Sequence, residues 1–485
     1  MLTVAVAFAV PLVVLLASVR TSVGFWDTGD LQTVAWIAGI PYPTGFPGYV
    51  MLGWLWTHAL PVASVAWRLN ALSAVAVAAG AATVTAIALL YDVLPPIAVA
   101  GGWMFAFAHA MWARASYADA HPVGFAVAFI AIALAIRWTR RGEPRSLALA
   151  LVMAGVALAI DNTTVLMLAA VPLVAFARRP PWRVTALAAV GAIAIVLAAY
   201  AYLPLRSAQV TAARLDPTLA LGIEPGRPFW DDHDPRTMDG FTALVTGAEW
   251  LPDRTLAKIF TSDAIARSAD RFEPELLSDY PQGLLVVAGF GLAFVALADP
   301  LVALMLVLAA TLPALFGGSY PVEADPNRYI FMLYAVIAVG IAIAADRTAR
   351  AFGGSAPAAA RGVVLSVLAA VLIVDVVSAN DIFAVRGNTD AADFGARVVS
   401  ATHDRAVIVA AWDLATPLAY RAYVEHAMGN RILVCALPTD HLVEYAGWMR
   451  DRQVAIVLEK RPDLPGFTSR LLSGGSPQIY EIRRL

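Results

Sequence analysis

Two carboxylates three residues apart, Asp27 and Asp30, stand just after the first apolar run, in the stretch Val23-Gly24-Phe25-Trp26-Asp27-Thr28-Gly29-Asp30-Leu31-Gln32. A positioned carboxylate can take the proton of a hydroxyl as that hydroxyl attacks an electrophile. If a short helix begins near Asp27, positions i and i+3 share one face, beside Trp26 and Trp36. The same spacing ahead of an apolar run also describes a helix start whose carboxylates satisfy free backbone N–H groups. Spacing alone leaves both readings open. The following stretch carries Pro41, Pro43, Gly45, Pro47 and Gly48, which suits either a tight turn between surface helices or a backbone shaped around a ligand.

Other polar side chains fall where apolar runs end: Arg68 and Asn70, Arg114 with Asp119 and His121, Asp161 and Asn162, Arg206, and Arg328. A guanidinium can hold a phosphate bidentately, and an isolated one at an interface is equally a snorkelling side chain or a carboxylate partner. Trp26, Trp36, Trp54, Trp56 and Trp67 are five of the 13 tryptophans; they suit an interfacial aromatic belt and also sugar stacking. Trp230-Asp231-Asp232-His233-Asp234 offers oxygen and imidazole donors to a divalent cation. Flanked by Pro228 and Pro235, it reads first as a solvated turn. The single Cys435 leaves no internal disulfide and no thiolate cluster.

The elements that must position these groups are set by composition. Of 485 residues, 60% are hydrophobic and only 14% charged, with a mean hydropathy of +0.70 and two lysines, Lys258 and Lys460. Soluble chains average about 25% charged, so this is an integral membrane protein, and nucleic-acid binding and disorder are excluded. Eleven apolar runs are long enough to suggest spans: Met1–Ser18, Leu69–Leu90, Ile97–Trp112, Val123–Ile136, Leu147–Ile160, Val165–Ala177, Thr185–Leu203, Gly283–Ala298, Leu301–Phe316, Tyr329–Ala345 and Val363–Ser378. The first lacks a basic n-region and an A-x-A site and is read as a retained helix.

Arginine clusters at 137–145, 178–183 and 347–361 fall on one side, cytoplasmic by the positive-inside rule. Three large segments then share the outer face: Thr21–Trp67, Pro204–Pro281 and Asn380–Leu485. Residues 1–378 form the helical membrane domain. Residues 379–485 change character, with strand-like Ala406–Ala411, Arg431–Ala436 and Val454–Leu458 and a helix over Leu414–Met428, which predicts a small α/β domain for packing or acceptor docking. It has no P-loop and no G-x-G-x-x-G. Ion-coupled carriers usually need charges at mid-depth in their spans, and none is placed there.

Several motifs taken in order resemble the membrane protein O-mannosyltransferases, of the GT-C glycosyltransferase type. Gly24-Phe25-Trp26-Asp27-Thr28-Gly29-Asp30-Leu31 is similar to the family's D-S-G-E-L segment, and Gly39 to Tyr49 to its G-I-x-H-P-P-G-Y-P-x-Y. Arg68-Leu69-Asn70-Ala71-Leu72-Ser73 is similar to R-x-N-x-x-S, and Tyr202-Leu203-Pro204-Leu205-Arg206 to Y-L-P-L-R; Asp239-Gly240-Phe241 and Val245-Thr246-Gly247 resemble later elements. Asp30 stands where the family has Glu, and Tyr42 where it has His.

The resemblance implies a GT-C fold of about 11 transmembrane helices, a polyprenyl-phosphate-linked donor carrying mannose or a similar hexose, and a catalytic acid in the first extracytoplasmic loop. Asp27 is the preferred base and Asp30 the second candidate. Arg68, Arg114, Arg206 and Arg328 are candidates for the donor phosphate, and Trp26, Tyr42, Asn70, Asp119, His121 and Asn162 for substrate contacts. The acceptor is a protein Ser/Thr hydroxyl or a glycan, reached by inverting displacement. No cofactor is certain; some GT-C enzymes use a divalent metal and others do not. The alternative from another class is a polyprenyl-phosphate-sugar flippase or carrier without catalysis.

Overall fold

Long apolar helices account for most of the chain, as a sequence with so few charges requires. The structure, a computed structural model, describes residues 1–175, 178–248, 256–319, 326–352 and 357–485. Two short helices lie between α1 (Leu2–Ser18) and α4 (Val65–Leu90): α2 (Trp26–Ile37) and α3 (Pro47–Ala59). Then come α5 (Pro95–Phe107), α6 (His109–Arg114), α7 (Ala120–Arg141), α8 (Pro144–Ile160), α9 (Val165–Leu168), α10 (Val171–Ala175) and α11 (Trp182–Ala212). Next are α12 (Met238–Thr246), α13 (Leu256–Ile259) and α14 (Ser262–Asp279), followed by α15 (Gln282–Ala298), α16 (Pro300–Gly318), α17 (Phe331–Ala351) and α18 (Pro357–Ser378).

Among the described residues six helices are long and apolar enough to cross a membrane, or seven if α14 and α15, bent by 98° at their junction, count as one span. Helices α1, α5 and α8 are apolar but shorter. Two expected spans are broken. The run 97–112 stops at Phe107, and α6 starts afresh because the Asp279 carboxylate accepts the N–H groups of His109 (2.8 Å) and Ala110 (3.1 Å). An acid at the N-terminus of a helix is favoured by its free N–H groups and dipole. The run 165–177 is divided into α9 and α10 by a turn, and its end at 176–177 lies outside the described residues. Buried α17 is the centre of the bundle; a Cβ placed on Gly291 of α15 would lie 1.9 Å from the Gly340 carbonyl oxygen, so those backbones meet directly.

After α19 (Asn380–Val385) and α20 (Asp390–Ala401) the chain forms a five-stranded sheet: β1 (Val407–Ala410), β2 (Ile432–Cys435), β3 (Val454–Leu458), β4 (Phe467–Ser473) and β5 (Gln478–Arg484), with α21 (Trp412–Tyr423) and α22 (Leu442–Trp448). The order is β2-β1-β3-β5-β4, parallel through β3 and antiparallel beyond. Side chains alternate across the sheet: Val407, Val409, Val434 and Ile456 pack with Tyr445 and Trp448 of α22, while Ile408, Ala410, Leu433 and Ala455 join the larger core that includes α20 and α21.

Candidate active site

Helix α2 begins at Asp27's level without a side-chain cap, since its N-cap is Phe25. Asp27 instead pairs with Arg328, Oδ2 to Nη1 at 2.6 Å, with side chains 22% and 14% exposed. Asp30 lies one turn deeper and is fully buried. Its Oδ2 accepts the Tyr42 N–H at 3.5 Å, and its Oδ1 has no hydrogen-bond partner. Neither carboxylate therefore caps its helix, which removes the capping alternative. Burial, with the Asp232 charge next in effect, holds the Asp30 carboxyl well above its ordinary value. A base must reach solvent or substrate; Asp27 does and Asp30 does not.

Around Asp27 the walls come from distant parts of the chain. Burial and the neighbouring Asp27 charge raise the Tyr42 phenol well above its usual range, with Arg328 acting in the opposite sense. The Tyr42 ring stands edge-on to Phe46 (5.3 Å) and Trp412 (5.4 Å), and Trp412 in turn to Trp26 (6.1 Å). Trp26 is 61% exposed and has a φ of +56°, a left-handed conformation uncommon for a bulky residue. Asp119 caps α7 by accepting the His121 N–H (2.9 Å) and pairs with Arg114 at 3.5 Å, both side chains being buried. His121 Nδ1 meets Asp161 Oδ2 at 2.7 Å, and its ring lies among Phe46, Phe125 and Tyr329. Asp161 is itself held by the Thr163 N–H and hydroxyl, at 2.9 and 2.7 Å. Asp27, Tyr42, Arg114, Asp119, His121 and Arg328 thus belong to one neighbourhood.

The remaining expected site residues have structural partners. Arg206 donates from Nε to the Ala38 carbonyl (2.6 Å) and from Nη2 to that of Ile37 (2.9 Å), closing the C-terminal end of α2. Arg68 donates to the carbonyls of Thr57, Leu60 and Ser64 and lies over the Trp36 ring. Asn162 donates to the Val245 carbonyl at 2.9 Å. Asn70 is a hub: its Oδ1 accepts from Gln32 Nε2 and the Ala118 N–H, both at 2.7 Å, while Nδ2 donates to the Arg20 carbonyl. These four residues tie α2 and its neighbours together through those bonds.

The 230–234 stretch turns, as read, but it is not solvated. Asp231 and Asp232 are buried, and His233 Nδ1 meets Asp232 Oδ1 at 2.8 Å. Burial pushes Asp231 up to about 6 and raises Asp232, whereas the Arg236 partner lowers Asp234. Among the described residues no three His, Cys, Asp or Glu side chains form a group that could hold a metal ion. The stretch serves as a wall: the Ile40 N–H bonds to the Phe229 carbonyl at 3.2 Å, and a Cβ on Gly39 would be 1.9 Å from that same oxygen.

The α/β domain completes the enclosure. Trp412 follows β1 at the carboxyl end of the parallel strands, where such sheets present functional residues. A Cβ on Gly29 would meet Thr416 Oγ1 at 3.0 Å and the Gly24 carbonyl oxygen at 2.4 Å, so α21 lies directly on α2. Trp412 was not among the residues expected from the sequence; its position just beyond an apolar strand was the available signal.

Residues 27–184 match the family model for the protein O-mannosyl-transferase TMEM260 N-terminal domain. The structure of ArnT from Cupriavidus metallidurans bound to undecaprenyl phosphate is similar throughout, with a TM-score of 0.60, 12% identity and coverage of 99% of this chain and 97% of that one. This chain has the fold of the GT-C glycosyltransferases. Apo ArnT from the same organism gives a TM-score of 0.55 at 14% identity and the same coverage. The mycobacterial arabinofuranosyltransferase AftD gives 0.51 at 14% identity, covering 99% of this chain but 41% of that longer one. No curated protein matches in sequence. The chain is an integral membrane protein, and the family match begins at Asp27.

Proposed function

We propose that the enzyme transfers a sugar, mannose or a similar hexose, from a polyprenyl phosphate to an acceptor hydroxyl on the extracytoplasmic side, and that Asp27 is the base. The observation that carries this reading is the Asp27–Arg328 pair at 2.6 Å, which sets a partly exposed carboxylate beside a guanidinium at the edge of the bundle. The acceptor oxygen attacks the anomeric carbon as the bond from that carbon to the phosphate oxygen breaks. The hydroxyl proton passes to Asp27, and the phosphate departs with the bonding pair. A phosphate is already a good leaving group, so what it needs is positive charge; Arg328, with Arg114 behind it, supplies that. Attack opposite the leaving group inverts the anomeric centre.

His121 extends the phosphate side. Asp161 fixes its Nδ1, and its other ring nitrogen has no hydrogen-bond partner among the described residues, although the side chain is only 4% exposed. An imidazole held in this way donates from Nε2 to a phosphate oxygen in its doubly protonated form, with Asp161 balancing the ring's charge. Trp26, Tyr42 and Trp412 form the aromatic rim for the sugar or the acceptor. The ArnT complex supports the donor class through its bound undecaprenyl phosphate, and the TMEM260 match supports a protein Ser/Thr acceptor.

Purified enzyme supplied with radiolabelled polyprenyl-phosphate mannose and a Ser/Thr peptide should form labelled glycopeptide. Mass spectrometry of exported proteins with and without the gene should show the loss of one hexose class. A flippase would move donor between leaflets without forming glycopeptide, and that result would overturn the proposal.

A further inference from the structure

The end of α7 opposite His121, about 30 Å away by helix rise, borders a second polar site that the transfer reaction does not use. A cavity of about 390 Å³ opens there, lined by Arg140, Arg141, Arg178, Thr139, Asp92 and Asp299 together with Leu90. Two of its guanidinium groups are fixed in place. Arg140 Nη1 meets Asp299 Oδ2 at 2.8 Å, its Nε donates to the Leu90 carbonyl, and its guanidinium lies 4.5 Å from the Tyr91 ring centre. Arg178 Nε donates to the Thr139 carbonyl at 2.7 Å. Gly142 ends α7 with a φ of +68°, and a Cβ there would lie 2.8 Å from Arg178 Nη1, so the glycine makes room for that side chain.

Charge in the cavity is left unbalanced. Arg140 is matched by Asp299, but Arg141 has no partner among the described residues and Arg178 has only a carbonyl, with Asp92 the one remaining acid in the lining. Just beyond the wall, Arg347 and Arg350 donate to the carbonyls of Tyr91 and Asp92 while sharing Asp346. The cavity is larger than a lone anion needs. It also sits where α4 and α7 end and α16 begins, at one end of the long apolar helices.

We propose that this cavity binds the phosphate of an anionic lipid headgroup on the face of the membrane opposite the active site. Arg141 and Arg178 grip the phosphate oxygens, and Arg140 is the fixed third wall. Basic pockets between helices at the cytoplasmic face are suited to such headgroups. This inference does not rest on the assignment of the transfer reaction.

The test uses delipidated full-length enzyme in neutral detergent, titrated with phosphatidylglycerol, phosphatidylcholine or inorganic phosphate and read by native mass spectrometry. Phosphatidylglycerol should bind at least tenfold more tightly than phosphatidylcholine. The double variant Arg141→Gln/Arg178→Gln should weaken phosphatidylglycerol roughly thirtyfold, taking each surface arginine as about fivefold. Asp92→Asn should tighten it several-fold, and this variant decides the matter if the double variant does not fold. Failure of millimolar inorganic phosphate to compete identifies the lipid as the source, while competition assigns the same arginines to free phosphate and overturns the lipid assignment. Equal phosphatidylglycerol binding by wild type and double variant, or weaker binding by Asp92→Asn, overturns the site itself.

Discussion

Asp27→Asn separates a base from a mere partner of Arg328. A general base contributes about 10²- to 10⁴-fold in rate, or about 2.7 to 5.4 kcal/mol of transition-state free energy. Asparagine keeps the volume and one oxygen that can still accept from Arg328 Nη1, so the arginine stays where the phosphate needs it. Breaking a fully buried ion pair costs about 3–5 kcal/mol. This pair is partly exposed, at 22% and 14%, and Asp119 also acts on Arg328, so about 1–2 kcal/mol of stability is expected to go. Single-turnover transfer from radiolabelled donor in lipid nanodiscs should therefore slow by two to four orders of magnitude, with donor affinity changed by less than about threefold. Thermal unfolding of the same samples shows that the fold survives. Turnover within tenfold of wild type, or a loss of donor binding as large as the loss of rate, would refute the assignment of Asp27 as base.

Three further outcomes follow from the same geometry. Arg206→Ala strips the charged donors from the Ile37 and Ala38 carbonyls and should cost about 2–3 kcal/mol in unfolding while leaving donor affinity intact; a selective loss of donor binding would return Arg206 to the phosphate site. Burial lifts the Asp231 carboxyl from 3.8 to about 6, so its folded state is favoured below about pH 4 and that advantage is lost as pH rises through 6. Asp231→Asn should accordingly raise the melting temperature at pH 7.5 relative to its effect at pH 5, and equal shifts at both would contradict the burial argument. Gly29→Ala forces a methyl against the Gly24 carbonyl and Thr416, which should cost about 1–3 kcal/mol and make the link before the α/β domain more sensitive to limited proteolysis.

Much of this molecule was legible in residue types. The low charge and the apolar runs pointed to a helical membrane protein, and three of the five strands of the C-terminal sheet fell within their apolar stretches. Strands β4 and β5 were not read, because their sequences mix Arg, Ser, Gln and Glu with aliphatic residues and β4 has no buried position. The breaks at Ala108 and between α9 and α10 were invisible, since they depend on Asp279 from far along the chain and on a local turn within apolar sequence. At the candidate site, the first-loop acids and Arg328 were readable as candidates, and the structure pairs Asp27 with Arg328. What spacing could not supply was which arginine meets which acid. Arg68 and Arg206 look equivalent to Arg328 as letters, and only the tertiary fold turns them toward backbone carbonyls. The Asp161–His121 contact and the arrival of Trp412 are long-range facts of the same kind.

The partners of the Asp27–Arg328 pair are 301 residues apart in the chain. While the polypeptide is being threaded into the bilayer, the first carboxylate emerges long before its counter-ion has been synthesised, and the Trp412 side of the pocket is translated later still. Nascent and prematurely terminated chains can be embedded in the membrane yet lack an assembled reaction centre. The proposed site is therefore complete only after the last quarter of the chain has been made and α21 packs on α2.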